Sequence, residues 1–120
     1  MTLEKGLERD RVGGGAMRVL VVCGAGASSS FVALWVRRAA AARGVSASAT
    51  ASGTTELDTL APDADIVLIG PHLAGEFEAL AARVGRAGAV AVLLPEQVVT
   101  MRDGNAALDL ALAAARASAS

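Results

Sequence analysis

Arg18-Val-Leu-Val-Val-Cys-Gly-Ala-Gly-Ala-Ser-Ser-Ser-Phe31 is the stretch on which the fold turns. Residues 19–22 form a short, wholly apolar run that is rich in β-branched side chains and stopped by a glycine after the cysteine. A run of this kind reads as a strand buried on both faces. Cys23 stands where that strand ends. Gly24, Ala25, Gly26 and Ala27 let the backbone turn with no bulky side chain in the way. Ser28, Ser29 and Ser30 are residue types that cap helix N-termini, and Phe31 opens an apolar helical pattern. The local expectation is a strand, a small-residue loop and a helix start, with one thiol at the mouth of the loop.

That arrangement has a chemical meaning. Free N–H groups at a helix start, together with the positive end of the helix dipole, make an anion site. A thiol placed there has its thiolate favoured, so its pKa falls and it becomes a better nucleophile at neutral pH. A nucleophile beside a cradle for a doubly charged group points to phosphoryl transfer through a cysteinyl phosphate.

Outward from this stretch, residues 29–43 read as a helix. Phe31, Leu34, Trp35, Ala39 and Ala42 share one face, widened by Val32 and Val36, and Gly44 is the expected stop. Residues 45–50 alternate apolar with polar, the pattern of a half-exposed strand at a sheet edge. Thr55-Glu-Leu-Asp58 fits a capping box for a short helix that ends before Pro62. Residues 65–70 are again a continuous apolar strand, running into Gly70-Pro71-His72. Leu73, Phe77, Leu80, Ala81 and Val84 recur at helical spacing, and Gly88 closes that helix. Residues 89–94 make a fourth strand stopped by Pro95. A loop over residues 96–104 follows, and Leu108, Ala111, Leu112 and Ala115 mark a last helix. The order is βαβαβαβα, so the expected fold is a single α/β domain with a four-stranded parallel sheet and helices on both faces. Ligands of such sheets bind beyond the carboxyl ends of the strands, where the strand order reverses. The loops after the first, third and fourth strands share that edge and converge on Cys23.

Composition narrows the function. The chain has 120 residues, 53% hydrophobic and 19% charged, which suits one folded domain with one core. Net charge is −1 and the arginines are scattered, so no basic footprint for nucleic acid appears. Apolar runs such as residues 87–94 are too short to span a bilayer. The charged start, with Glu4, Lys5, Glu8, Arg9, Asp10 and Arg11, has no apolar stretch of the signal-peptide kind. A single cysteine excludes an internal disulfide and a multi-thiolate metal site, and a reducing cytoplasm is its simplest compartment. No metal or organic cofactor is implied. Residues 1–16 are polar, balanced in charge and end in Gly13-Gly14-Gly15-Ala16, so they read as a flexible N-terminal extension, with the domain proper over residues 17–120.

From Met17 onward the chain resembles the IIB component of the lactose/cellobiose family of the bacterial sugar phosphotransferase system. The resemblance is carried by Val19-Leu-Val-Val-Cys23-Gly-Ala-Gly-Ala-Ser-Ser-Ser30, by Ala64-Asp-Ile-Val-Leu-Ile-Gly-Pro71, and by Met101-Arg-Asp-Gly104 leading into the Leu108 helix. These segments fall in the family's order. The resemblance implies a phosphocarrier in which Cys23 takes a phosphoryl group from a phosphohistidine of a IIA component. Cys23 then passes it to a sugar bound by the membrane IIC permease, a β-disaccharide being one candidate. Gly24, Ala25, Gly26, Ala27, Ser28, Ser29 and Ser30 would hold the phosphate through their N–H groups. The domain would be cytoplasmic and peripherally associated with the permease. The chain departs from the family at Ala27, where a larger residue such as methionine is frequent, and at His72, where glutamine is common. Pro95-Glu-Gln-Val-Val-Thr100 matches only loosely.

Rival readings come from other classes. A dinucleotide-binding module would need a third glycine where Ser29 stands and an acidic residue near Thr50. A low-molecular-weight cysteine phosphatase or arsenate reductase also uses a thiolate in an anion loop, but needs an arginine six residues after the cysteine, again where Ser29 stands. A degenerate regulatory IIB-like domain would leave Cys23 unmodified. The plainer readings of single residues are a buried small hydrophobe for Cys23, helix capping for the serines, a turn or surface position for His72, solvated loop charges for Arg102 and Asp103, and core for Trp35.

Overall fold

The computed structural model describes residues 16–23 and 27–119. Most of the expected N-terminal extension, and Gly24, Ala25 and Gly26 of the loop, therefore lie outside the described residues. The elements are β1 (Met17–Val22), α1 (Ala27–Ala42), β2 (Ala47–Ser52), α2 (Leu57–Leu60), β3 (Ile66–Ile69), α3 (Phe77–Arg86), β4 (Val90–Leu93), α4 (Glu96–Thr100) and α5 (Gly104–Ala119). Short 3-10 turns at Thr54–Glu56, Ala61–Asp63 and Pro71–Glu76 join some of them. Among the described residues the four strands form one all-parallel sheet in the order β2-β1-β3-β4. This is the expected α/β architecture.

Alternation along the strands divides the core into two layers. Val19, Val21, Ile66 and Leu68 point to the side of α1 and α5, where they meet Val32, Val36, Leu108 and Ala111. Leu20, Val22, Val67 and Ile69 point to the side of α2 and α3, where they meet Leu57, Leu80 and Val84. Each such side chain contributes about 1.5–3 kcal/mol when fully buried. An exposed ion pair such as Arg43 with Asp109, at 2.8 Å, contributes about 1 kcal/mol at most. The apolar layers therefore hold the sheet between its helices. Both expected glycine stops have positive φ, +66° at Gly44 and +91° at Gly88, the left-handed geometry that ends a helix.

Several expectations are corrected. Helix α1 starts at Ala27, so Ser28, Ser29 and Ser30 lie inside its first turn and do not precede it as caps. Its buried stripe is Val32, Ala33, Val36, Ala39 and Ala40, while Phe31 is 59% exposed, Ala42 is exposed, and Leu34 and Trp35 are half-buried. The helix is apolar all round over residues 31–36, and the small and β-branched stripe is the one that lies flush on the sheet. Only the reciprocal half of a capping box forms, earlier than expected: the Gly53 N–H donates to Glu56 Oε1 at 3.1 Å, and Asp58 pairs instead with Arg83 at 3.0 Å. The expected loop at 96–104 contains helix α4. Asp103 is a cap, its Oδ1 accepting the Ala106 N–H at 2.9 Å at the start of α5. Gly104, next in line, lets α5 abut α1, since a Cβ there would lie 2.5 Å from the Trp35 carbonyl oxygen.

Two polar contacts organise the sheet's margins. At the amino ends of the strands, Arg18 Nε and Nη2 clasp Asp65 at 3.3 and 3.1 Å, and the Arg18 N–H donates to Asp65 Oδ2 at 2.8 Å. The hydrogen bond to Asp65 is the main reason the Arg18 pKa is raised. At the open edge, Arg37 Nη1 donates to the Ala49 carbonyl of β2 at 2.7 Å.

Candidate active site

Cys23 follows directly on β1, and its backbone is held from both sides. Its N–H donates to the Ser52 carbonyl at 3.4 Å, and the Gly70 N–H donates to the neighbouring Val22 carbonyl at 2.9 Å. The chain leaves β1 for β2 on one side and returns to β3 on the other, so the strand order reverses there. A reversal of this kind opens a crevice beyond the carboxyl ends of the strands. Cys23, Gly70 and the turn Pro71–Glu76 stand at that end.

Gly70 sets the closest geometry. A Cβ on it would lie 3.0 Å from Cys23 Sγ, 3.1 Å from His72 Cε1 and 3.5 Å from His72 Nδ1. Without a side chain at position 70, the sulfur and the imidazole both close on one spot of backbone. The expected thiol at the loop mouth is corrected, because Cys23 is only 1% exposed. It continues the β1 alternation, so it falls on the same face as Val19 and Val21 and joins the core beneath α1. His72, by contrast, is exposed.

Over residues 18–110 the chain matches the model of the lactose/cellobiose-specific IIB subunit of the phosphotransferase system. It belongs to that family. Solved structures agree in fold. The lactose-specific IIB component domain from Streptococcus pneumoniae superposes with a TM-score of 0.70 at 19% identity, covering 82% of this chain and 97% of that one. The cellobiose-specific IIB component from Borrelia burgdorferi superposes with a TM-score of 0.73 at 25% identity, covering 88% and 97%. No curated protein sequence matches the chain.

In this IIB domain the sequence-predicted residues are placed as follows. Ala27 and Ser28 begin α1, four residues after Cys23 in the case of Ala27. Ser29 is buried in the first turn and Ser30 is exposed. Ser29 occupies the position where a cysteine phosphatase would carry its arginine. Among the described residues no cluster of three or more His, Cys, Asp or Glu side chains is placed to hold a metal, and no helix is long and apolar enough to cross a membrane. A hollow of about 240 Å³ lies elsewhere, lined by residues such as Arg18, Ser48, Thr50 and Asp63 toward the amino ends of the strands. His72, whose plainer sequence reading is a turn or surface position, stands near Cys23 across Gly70. The convergence of the loops after β1 and β3 is as the alternating order of elements leads one to expect.

Proposed function

We propose that this IIB domain is a phosphocarrier and a protein-phosphohistidine–sugar phosphotransferase, with Cys23 as the covalent acceptor. The Cys23 thiolate attacks the phosphorus of a IIA phosphohistidine. The S–P bond forms as the N–P bond breaks, and the histidine nitrogen keeps the bonding pair. A hydroxyl oxygen of a sugar held by the IIC permease then attacks the phosphorus; the O–P bond forms as the S–P bond breaks, the sulfur leaves as thiolate and the hydroxyl proton is released to solvent. The N–H groups of residues 24–30 stabilise the oxygens of the transferring group. The sugar is chosen by the permease, with a β-disaccharide as one candidate, and the domain works in the cytoplasm against the membrane partner.

The observation that supports this reading is the place of Cys23 in a IIB-family chain. It stands at a strand exit, at the reversal of strand order, backed by a glycine and just ahead of a helix start. Burial of the sulfur suits a carrier. Water excluded from the S–P bond does not discharge it before the acceptor arrives. The same burial means that the donor reaches the sulfur only as neighbouring residues yield.

The test is incubation with phosphorylated IIA protein, read by intact mass. The wild-type chain gains one phosphoryl group and Cys23→Ser gains none, and a mutant that still gains one removes Cys23 as acceptor. A second assay addresses the phosphatase alternative. With Ser29 in the arginine position there is no guanidinium fork for a phosphate monoester. Release of p-nitrophenol from its phosphate is expected to be negligible. Robust release that disappears in Cys23→Ser would replace the carrier by a hydrolase.

A further inference from the structure

We infer that His72 belongs to the transfer machinery, its ring N–H donating a hydrogen bond to an oxygen of the phosphoryl group carried on Cys23 Sγ. This rests on Cys23 being the acceptor. The first observation is the shared backing. Sulfur and imidazole both lie within contact distance of the same point above the Gly70 Cα, at 3.0 and 3.1 Å. The second is the difference in burial. Cys23 is 1% exposed and His72 is exposed, so of the two residues that meet at Gly70 only His72 reaches solvent.

The third observation is that sheet register fixes the backbone position of residue 72. Val22 pairs with Ile69 across β1 and β3, and the Gly70 N–H donates to Val22 oxygen at 2.9 Å. Pro71 then sets the next φ, and the Leu73 N–H donates to the Gly70 carbonyl at 3.0 Å, closing the turn around His72. Position 72 is thereby tied to position 23 through hydrogen-bonded backbone and not through a free loop.

The chemistry follows from charge. A phosphoryl group on a side chain carries about −1.5 to −2 charge at neutral pH, and hydrogen bonds to such oxygens are short and strong. Imidazole keeps an N–H donor in either neutral tautomer and in the protonated form. The donated hydrogen bond stabilises oxygens whose charge is spread in the transition state. His72 retains its proton throughout. The only bonds made and broken are S–P and N–P, with the electron pair left on the donor nitrogen.

The experiment uses the full chain as wild type, His72→Phe and His72→Gln, under single-turnover conditions with phosphorylated IIA. Mass spectrometry gives the rate, and phosphorus NMR gives the environment of the cysteinyl phosphate. Loss of a hydrogen bond to a charged group predicts a rate about ten- to a hundredfold lower in His72→Phe. The melting temperature is unchanged, since the ring is exposed. His72→Gln, which keeps an N–H donor, recovers most of the rate, and its phosphorus resonance lies nearer the wild-type position than that of His72→Phe. A wild-type rate and an unshifted resonance in His72→Phe, with Cys23 fully phosphorylated, would overturn the role of His72 and leave the acceptor standing. Absence of any mass gain in the wild-type chain would remove the acceptor itself and this inference with it.

Discussion

Strands β1 and β3 meet at both ends of the sheet, and the two meetings are built differently. At the amino ends, Arg18 and Asp65 join through two charged side chains that are 47% and 38% exposed. At the carboxyl ends, Cys23 and Gly70 join through a sulfur and a bare Cα, both buried. The first junction tolerates motion, because water replaces whatever hydrogen bond is lost. The second does not, because its atoms are in contact and solvent is excluded. Within one pair of strands, geometry is enforced where the chemistry is proposed and left loose where only pairing is needed.

The strongest way to break this contrast is to fill the buried junction. Gly70 has φ −61° and ψ 149°, which alanine adopts without strain, so Gly70→Ala acts through contact alone. The new methyl would stand 3.0 Å from the sulfur and 3.1 Å from the imidazole carbon, tight enough that one of them must shift. Misplacement of a reacting atom by a fraction of an ångström predicts roughly a tenfold slower phosphoryl transfer from IIA. Overpacking of this size costs about 1–2 kcal/mol of stability. Single-turnover mass kinetics and urea unfolding measure the two effects, and an unchanged rate would show that the junction has slack.

A smaller effect sharpens the contrast by asking whether every charge on the carboxyl edge serves the chemistry. Asp103 caps α5, so Asp103→Ala should lose about 1 kcal/mol in urea unfolding and keep its transfer rate. A slower transfer per folded molecule would move Asp103 from the fold to the site.

The smallest effect is expected at the solvated junction. Asp65→Ala removes an exposed bidentate pair, which is worth about 1 kcal/mol or less and is screened by salt. The pH dependence follows from the raised Arg18 pKa. A group whose folded pKa is raised contributes stability that is fully present below its ordinary value and is lost only above the raised one. The stability difference between wild type and Asp65→Ala should therefore be flat across neutral pH as far as Arg18 is concerned. A slope there, or a loss of transfer, would show that the amino edge couples to the site.

The sequence makes strands legible wherever a short apolar run is closed by glycine or proline, as at residues 19–22, 66–69 and 90–93. It makes helix ends legible at Gly44 and Gly88 because only a positive φ continues the chain there. The rotation of α1 was not legible. Phe31, Val32, Ala33, Leu34, Trp35 and Val36 are all apolar, so periodicity alone does not say which of them faces the sheet. Helix α4 was not legible because five residues are too few to show a period. At the candidate site, Cys23 and its loop announced themselves through composition. The convergence of the loops after β1 and β3 followed from the order of elements, but the approach of the His72 ring to Gly70 did not, because it depends on the register of β3 against β1 and on the turn at Pro71.

One contact at the margin bears on how the protein behaves in a crowded solution. The Cys23 N–H bonds to the Ser52 carbonyl and the Met17 N–H to the Ser46 carbonyl, so carbonyls of that parity on β2 face β1. Ala49 has the opposite parity, and its carbonyl faces away from β1, where no further strand pairs among the described residues. Arg37 reaches over from α1 and occupies that carbonyl at 2.7 Å. An incoming strand, from a second copy or an unfolded chain, would have to displace a charged guanidinium before it could begin to pair. The arginine acts as a gatekeeper against edge-to-edge aggregation, on a strand of alternating alanine with serine or threonine that offers an intruder few side chains to grip.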